Sequence, residues 1–245
     1  MNPGADDPGA GSSSTRELDA RWLELVEGTV HNLRTPLATV TGYLELLALD
    51  AEGLGPRQRD HLARAAQGAR ELARQIELAH WIARFEAGVV PEPDAERPLL
   101  SLVDTALLRF GEDERARIVW RARHAADVRV RCNSDLLGRA IAGLVARSLS
   151  RAPEGERVEL ATEAAAGRWR FEARDRGTPI APEQVADLFG RFGSSGGRRR
   201  SPKLELYFGR LVAEALGGTA GARTSEDGET SLWLELPAID SVSPG

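Results

Sequence analysis

The sequence predicts an α + α/β fold: an N-terminal helical hairpin that pairs with a second copy as a four-helix bundle, followed by an α/β sandwich. Three observations carry this expectation. Two successive stretches space their apolar residues alternately three and four apart, a Pro-rich segment follows them, and the remaining chain alternates strand-like and helix-like patterns.

Residues 1–15 (MNPGADDPGAGSSST) hold mainly Gly, Pro, Ser and Asp, and read as a disordered tail. The hairpin is expected over residues 16–87. Its first helix, from Arg16 to Leu49, places Leu23, Val26, Val30, Leu33, Leu37, Val40, Leu44 and Leu47 on one heptad seam. Pro36 removes a backbone donor inside it and is expected to bend or loosen the helix there. Asp50 to Pro56 reads as a turn, and a second helix runs to about Glu86 with the seam Leu62, Ala65, Ala69, Leu72, Ile76, Ala79 and Ala83. Such a hairpin has more apolar seam than it can bury alone, so a homodimer is expected.

Residues 88–98 (GVVPEPDAERP) read as a linker, and residues 99–237 as the second domain, with 238–245 as a tail. Within that domain the patterns give a helix over Leu99–Phe110 and strands near Ile118–Arg121 and Val128–Cys132. A helix over Asp135–Ser150, strands near Val158–Glu163 and Trp169–Arg174, a helix over Leu206–Leu216 and a strand over Ser231–Leu236 complete it. The stretch 193–202 (GSSGGRRRSP) reads as a flexible basic loop.

Composition narrows the function classes. A net charge of -5 gives no overall reason to expect a nucleic-acid partner. The single cysteine, Cys132, excludes a disulfide framework and a cysteine metal site within one chain, so no metal is expected. No stretch approaches the ~20 apolar residues that cross a bilayer, and no signal pattern opens the sequence, so a cytoplasmic protein without membrane anchor or sensor segment is expected.

The most informative string is His31-Asn32-Leu33-Arg34-Thr35-Pro36-Leu37. Leu33 and Leu37 belong to the seam, whereas His31 and Thr35 fall off it and, being four apart, share one helix face. An exposed imidazole is a nucleophile toward phosphorus, and a hydroxyl one turn away can orient a water or a phosphoryl oxygen. The plainer alternative is a surface histidine on a bundle. The whole string, however, closely resembles the H-box of sensor histidine kinases, commonly H-E-L-R-T-P-L, with Asn32 as the one departure. The resemblance implies that the hairpin is a dimerisation and phosphotransfer domain, that His31 is the phospho-acceptor, and that Thr35 supports dephosphorylation of the partner. The family's acidic residue at position 32 acts as general base on the imidazole, and an amide cannot take a proton at neutral pH.

Residues 99–237 resemble the ATP-binding catalytic domain of the same family, an α/β sandwich. Against the family's N-L-L-x-N-A-x-K-Y helix, Asp135, Leu137 and Pro153 align, but the two asparagine positions are Gly143 and Arg147. An arginine where the family holds Mg²⁺ is expected to abolish chelation. Against D-x-G-x-G-I the chain reads Asp175-Arg-Gly-Thr-Pro-Ile180. Asp175, the family's adenine reader, and Gly177 are kept, while Pro179 replaces the second glycine. Asp175 also has a local reading, as the cap of a turn after its strand. Leu188-Phe189-Gly-Arg-Phe192 matches the phenylalanine box. The last glycine-rich box becomes Ser201-Pro-Lys203-Leu-Glu205-Leu-Tyr-Phe208, with side chains at all three glycine positions, so the phosphate cradle at a helix N-terminus is lost.

The resemblance therefore implies a histidine phosphotransfer protein of a two-component phosphorelay, carrying phosphoryl on His31 to or from receiver-domain aspartates, with a pseudokinase ATPase-like domain. No cofactor is expected. The first alternative is an active divergent cytoplasmic histidine kinase, which would bind ATP at Asp175 and Gly177 and would need another residue to hold Mg²⁺. The second is a non-catalytic scaffold that binds receivers. The expected partners are a second copy of the chain and response-regulator receiver domains, with neither nucleic acid nor membrane.

Overall fold

A computed structural model describes residues 9–50, 53–122, 128–191 and 204–239. The chain divides into two compact units, residues 1–90 and 91–245.

The first unit is the hairpin of α1 (Gly9–Leu49) and α2 (Pro56–Glu86). Helix α1 starts inside the stretch assigned to the tail. Extending a helix already nucleated by the heptads downstream fixes one residue per hydrogen bond gained, so even a Gly- and Ser-rich segment is drawn in. Pro36 lies within α1, and the helix continues through it. At the start of α2, Pro56 occupies the first turn, where its missing donor costs nothing, and Gln58 accepts the free Gly55 N–H at 2.9 Å. The helix stops at Gly88, whose φ of +75° lets Val89 N–H reach the Arg84 carbonyl at 2.8 Å, with Gly88 N–H on Phe85 at 3.0 Å.

Between the helices Val30, Ala66, Ala69, Leu78, Ile82 and Ala83 are buried. The expected seams are only half used: Leu33, Val40, Leu47 and Leu72 are exposed, and so are Trp22, Leu25, Tyr43 and Leu46 outside the seam. The apolar surface of α1 is therefore wider than one seam, and a single α2 cannot cover it.

The second unit adds β1 (Ala95–Pro98), α3 (Leu99–Leu107), α4 (Glu112–Ala116), β2 (Ile118–Ala122), β3 (Arg129–Cys132), α5 (Ser134–Arg151), β4 (Val158–Ala165), β5 (Arg168–Asp175), α6 (Pro182–Leu188), α7 (Leu204–Ala215), β6 (Thr219–Thr224) and β7 (Thr230–Pro237). A five-stranded sheet runs in the order β2-β4-β5-β7-β6, with β2 and β4 parallel and the other neighbours antiparallel. A small antiparallel pair, β1-β3, turns the end of the expected linker into a strand. The strand period of two and the helix period of 3.6 meet in the core. Trp169, Phe171 and Ala173 of β5 lie opposite Leu236, Leu234 and Leu232 of β7, and all six are fully buried beneath Leu137, Ile141 and Leu144 of α5. Cys132 is buried there too, and burial pushes its thiol up to about 11, which keeps it an inert core residue.

Strand β6 escaped the sequence reading because Thr219-Ala-Gly-Ala-Arg-Thr224 has no apolar alternation. The reason is packing: a Cβ at Gly221 would sit 2.5 Å from the Trp233 ring, so the indole fills the place of a side chain on β6. The arginines at 198–200, Lys203 and Phe192 lie outside the described residues, as do 1–8 and 240–245. Of the expected C-terminal tail, Ala238 and Ile239 are hydrogen-bonded to Gly167 and Arg129.

Candidate functional site

In the hairpin, α1 holds His31, Asn32 and Thr35 exposed, with His31 and Thr35 one turn apart. Pro36 has no N–H to offer the carbonyl of Asn32, four residues back. Glu27 and Arg34 flank His31 on its own face, four residues before and three after. Each reaches across to α2. Arg34 Nε donates to Glu77 Oε1 at 2.8 Å, and Arg84 Nη1 donates to Glu27 Oε1 at 2.7 Å. Half-exposed pairs of this kind contribute below about 1 kcal/mol each. Their consequence is register: they pin the two helices on either side of the histidine.

Four residues of this arrangement were not singled out in the sequence: Glu27, Glu77, His80 and Arg84. A signal was present, because Glu27 with Arg34 and Glu77 with Arg84 are opposite charges one heptad apart on each helix. His80 stands between Glu77 and Arg84, edge-on to Trp81, with ring centroids 5.4 Å apart. Arg84 lies 5.5 Å from the Trp81 ring. His80 Nδ1 is shielded from solvent and has no hydrogen-bond partner among the described residues. Burial first, then the Arg34 and Arg84 guanidiniums, hold His80 below the ordinary histidine range, against the opposing pull of Glu27 and Glu77.

In the second unit Asp175 ends β5 with its carboxylate fully buried. Oδ1 accepts from Gly177 N–H at 2.9 Å, the turn-capping geometry. Oδ2 accepts from Arg151 Nε at 3.2 Å, and Arg151 Nη2 donates to the Thr178 carbonyl at 2.6 Å. Asp175 and Gly177 are thus brought together, and Arg151, absent from the sequence reading, closes the carboxylate. A Cβ on Gly177 would lie 2.5 Å from the Arg151 carbonyl oxygen, so glycine is required where the chain passes the end of α5. Ile180 is anchored by its N–H on Thr224 Oγ1 at 2.9 Å.

The positions that carry metal and phosphate in the resembled domain are filled differently. Gly143 on α5 faces Glu205 at the start of α7 so closely that an added Cβ would meet Glu205 Cβ at 3.1 Å. Arg147 donates toward Ser150 Oγ at 3.4 Å. A carboxylate at the first turn of α7 repels phosphate, Arg147 on α5 offers no metal ligand and Arg151 already holds Asp175, so these residues do not fit the Mg²⁺-bound nucleoside triphosphate that the resemblance implies. Among the described residues no group of His, Cys, Asp and Glu is arranged to hold a metal, and no helix is long and apolar enough to cross a membrane.

Residues 21–88 match the family described as the His Kinase A (phospho-acceptor) domain, and residues 132–240 the one described as histidine kinase-, DNA gyrase B- and HSP90-like ATPase. The sensor protein DivL of Caulobacter vibrioides is 28% identical over 96% of this chain and 30% of its own length. The sensor histidine kinase AruS of Pseudomonas aeruginosa is 31% identical over 87% of this chain and 22% of its own. The chain therefore spans less than a third of either relative. Among solved structures, full-length ShkA in complex with AMPPNP superposes with a TM-score of 0.67 at 21% identity, over 91% of this chain and 47% of that one. The Acinetobacter baumannii histidine kinase AdeS does so with a TM-score of 0.56 at 19% identity, over 84% of this chain and 97% of its own. These likenesses agree on a phospho-acceptor hairpin followed by a kinase-type α/β domain.

Proposed function

The chain belongs to the two-component sensor histidine kinase family, and from that premise we propose that it works as a homodimer exchanging phosphoryl groups between His31 and receiver-domain aspartates. The observation that carries this is the exposed pair His31 and Thr35 on one face of α1, inside the segment that matches the phospho-acceptor domain. The chemistry is nucleophilic. A neutral imidazole nitrogen attacks phosphorus, and Thr35, one turn on, is placed to orient a phosphoryl oxygen or, in the reverse direction, a water. The exposed apolar face of α1 supports pairing of two hairpins.

Two sources for the phosphoryl group remain, each favoured by a different observation. The comparisons favour the ATP-dependent kinase better than a dedicated phosphotransfer protein, because the relatives named are a sensor protein and a sensor histidine kinase. The side chains around Asp175 favour the second source, a phosphorylated receiver: Arg151 occupies the buried carboxylate, Gly143 and Arg147 offer no metal ligand, and Glu205 sets a negative charge where phosphate would lie. On that reading the α/β domain binds no cofactor and acts as a pseudokinase.

The test is incubation of the full chain with Mg²⁺ and γ-labelled ATP, and separately with a phosphorylated receiver domain, scored for acid-labile, base-stable label. His31→Ala is the control in both. His31-dependent label from the receiver alone establishes phosphotransfer, and label from ATP establishes the kinase. Receiver binding without label in either arm, from folded dimer, leaves only the scaffold.

A further inference from the structure

The two cross-helix ion pairs frame more than one histidine. On α1, His31 lies four residues after Glu27 and three before Arg34. On α2, His80 lies three residues after Glu77 and four before Arg84. Since Glu27 is bonded to Arg84 and Arg34 to Glu77, the antiparallel register sets His31 and His80 level with each other. His31 lies one turn from Glu27 and Arg34, and His80 one turn from Glu77 and Arg84, so each histidine adjoins both ion pairs within the same ~10 Å of helix.

The chemistry at His31 has a vacancy that this placement answers. When a ring nitrogen of His31 bonds to phosphorus, the donor's bond to phosphorus breaks and the leaving group takes its electron pair. The ring is then cationic until the proton on its other nitrogen departs. Asn32 cannot accept that proton. Glu27 and Glu77 are each committed to an arginine, and Arg34 and Arg84 are cations. Of the charged and titratable groups framing His31, the uncommitted base is His80, a half-buried imidazole whose Nδ1 has no hydrogen-bond partner among the described residues.

We propose that His80 is the proton-accepting partner of His31, taking up the proton that the His31 ring releases as the N–P bond forms. This rests on His31 being the phospho-acceptor, and it holds for either phosphoryl source. Burial and the Arg34 and Arg84 guanidiniums favour the neutral form of His80, which is the form able to accept a proton.

The experiment uses the full chain with phosphoramidate, a small donor that needs neither a nucleotide nor a receiver; its P–N bond breaks and ammonia leaves. The rate of His31 phosphorylation is followed from pH 5 to 9 in the wild type, His80→Gln and His31→Ala. The expected result is a rate that falls by about 10²-fold in His80→Gln relative to the wild type at pH 7 and above, with a pH profile of different shape, and no label in His31→Ala. Superimposable profiles from His80→Gln and wild type, with label dependent on His31, overturn the inference alone. Label that survives His31→Ala overturns the phospho-acceptor reading and this inference with it. If His80→Gln does not fold, NMR titration of the wild type decides. A dianionic phosphoryl on His31 is expected to raise the titration midpoint of His80, and an unchanged midpoint overturns the inference.

Discussion

The hairpin and the α/β unit treat their apolar side chains in opposite ways. In the α/β unit Trp169, Phe171, Leu232, Leu234 and Leu236 are at 0% exposure, and the core is complete within one chain. In the hairpin Trp22, Tyr43 and Leu46 remain 54%, 66% and 57% exposed, although the helices that carry them are long and regular. The chemistry divides in the opposite sense. The hairpin carries the His31 string with one departure from the H-box it resembles, whereas the α/β unit departs from the domain it resembles at Gly143, Arg147, Pro179 and Glu205. The lesson is that fold and reaction are held by different residues. A core survives as long as volume and period are kept, while a reaction site fails when one ligand changes.

The sharpest way to break this comparison is at His31, where His31→Ala is expected to remove all transferable label while the circular dichroism spectrum stays unchanged. An exposed side chain carries chemistry and little stability. Next comes Phe171→Ala, expected to destabilise the α/β unit by about 3–5 kcal/mol in chemical denaturation. Leu46→Ala, on the exposed face of α1, is expected to change protomer stability by no more than about 0.5 kcal/mol and to show instead as weaker self-association in sedimentation. Unchanged self-association in Leu46→Ala would mean that the exposed stripe is not an interface.

Arg151→Ala leaves a buried carboxylate with Gly177 N–H as its remaining partner, and removal of one member of a buried pair typically costs about 3–5 kcal/mol. A loss below about 1 kcal/mol in the same denaturation assay would mean that water or a rearranged neighbour satisfies Asp175. The smallest effect has opposite signs at two glycines. Gly138 lies inside α5 with nothing within 4 Å of an added Cβ, so Gly138→Ala is expected to stabilise by about 0.5–1 kcal/mol. Gly177→Ala, whose Cβ would meet the Arg151 carbonyl at 2.5 Å, is expected to destabilise.

Much of this molecule was legible before any coordinates. The helices α1, α2 and α5 and the strands β5 and β7 follow from periodic patterns, and a period is a local property of the chain. Elements without a period were missed: β1, inside a Pro-rich segment, the short helices α4 and α6, and β6, whose small residues make room for Trp233. The string around His31 was legible for the same local reason, since seven adjacent residues on one helix carry it.

What the sequence determined by itself is therefore the order of the two units, the helical and strand periods, and the string around His31 that carries the family resemblance. The tertiary structure decided which apolar residues of α1 face α2 and which stay exposed, because a seam does not say how much of it one neighbouring helix can cover. It also decided that Arg151 closes Asp175, across 24 residues of chain, and that Glu27 and Arg34 bracket His31 by bonding to Arg84 and Glu77, 57 and 43 residues away. Hydrogen bonds and ion pairs act over about 3 Å in space with no regard to separation along the chain, so such partners appear only once the fold has brought them together.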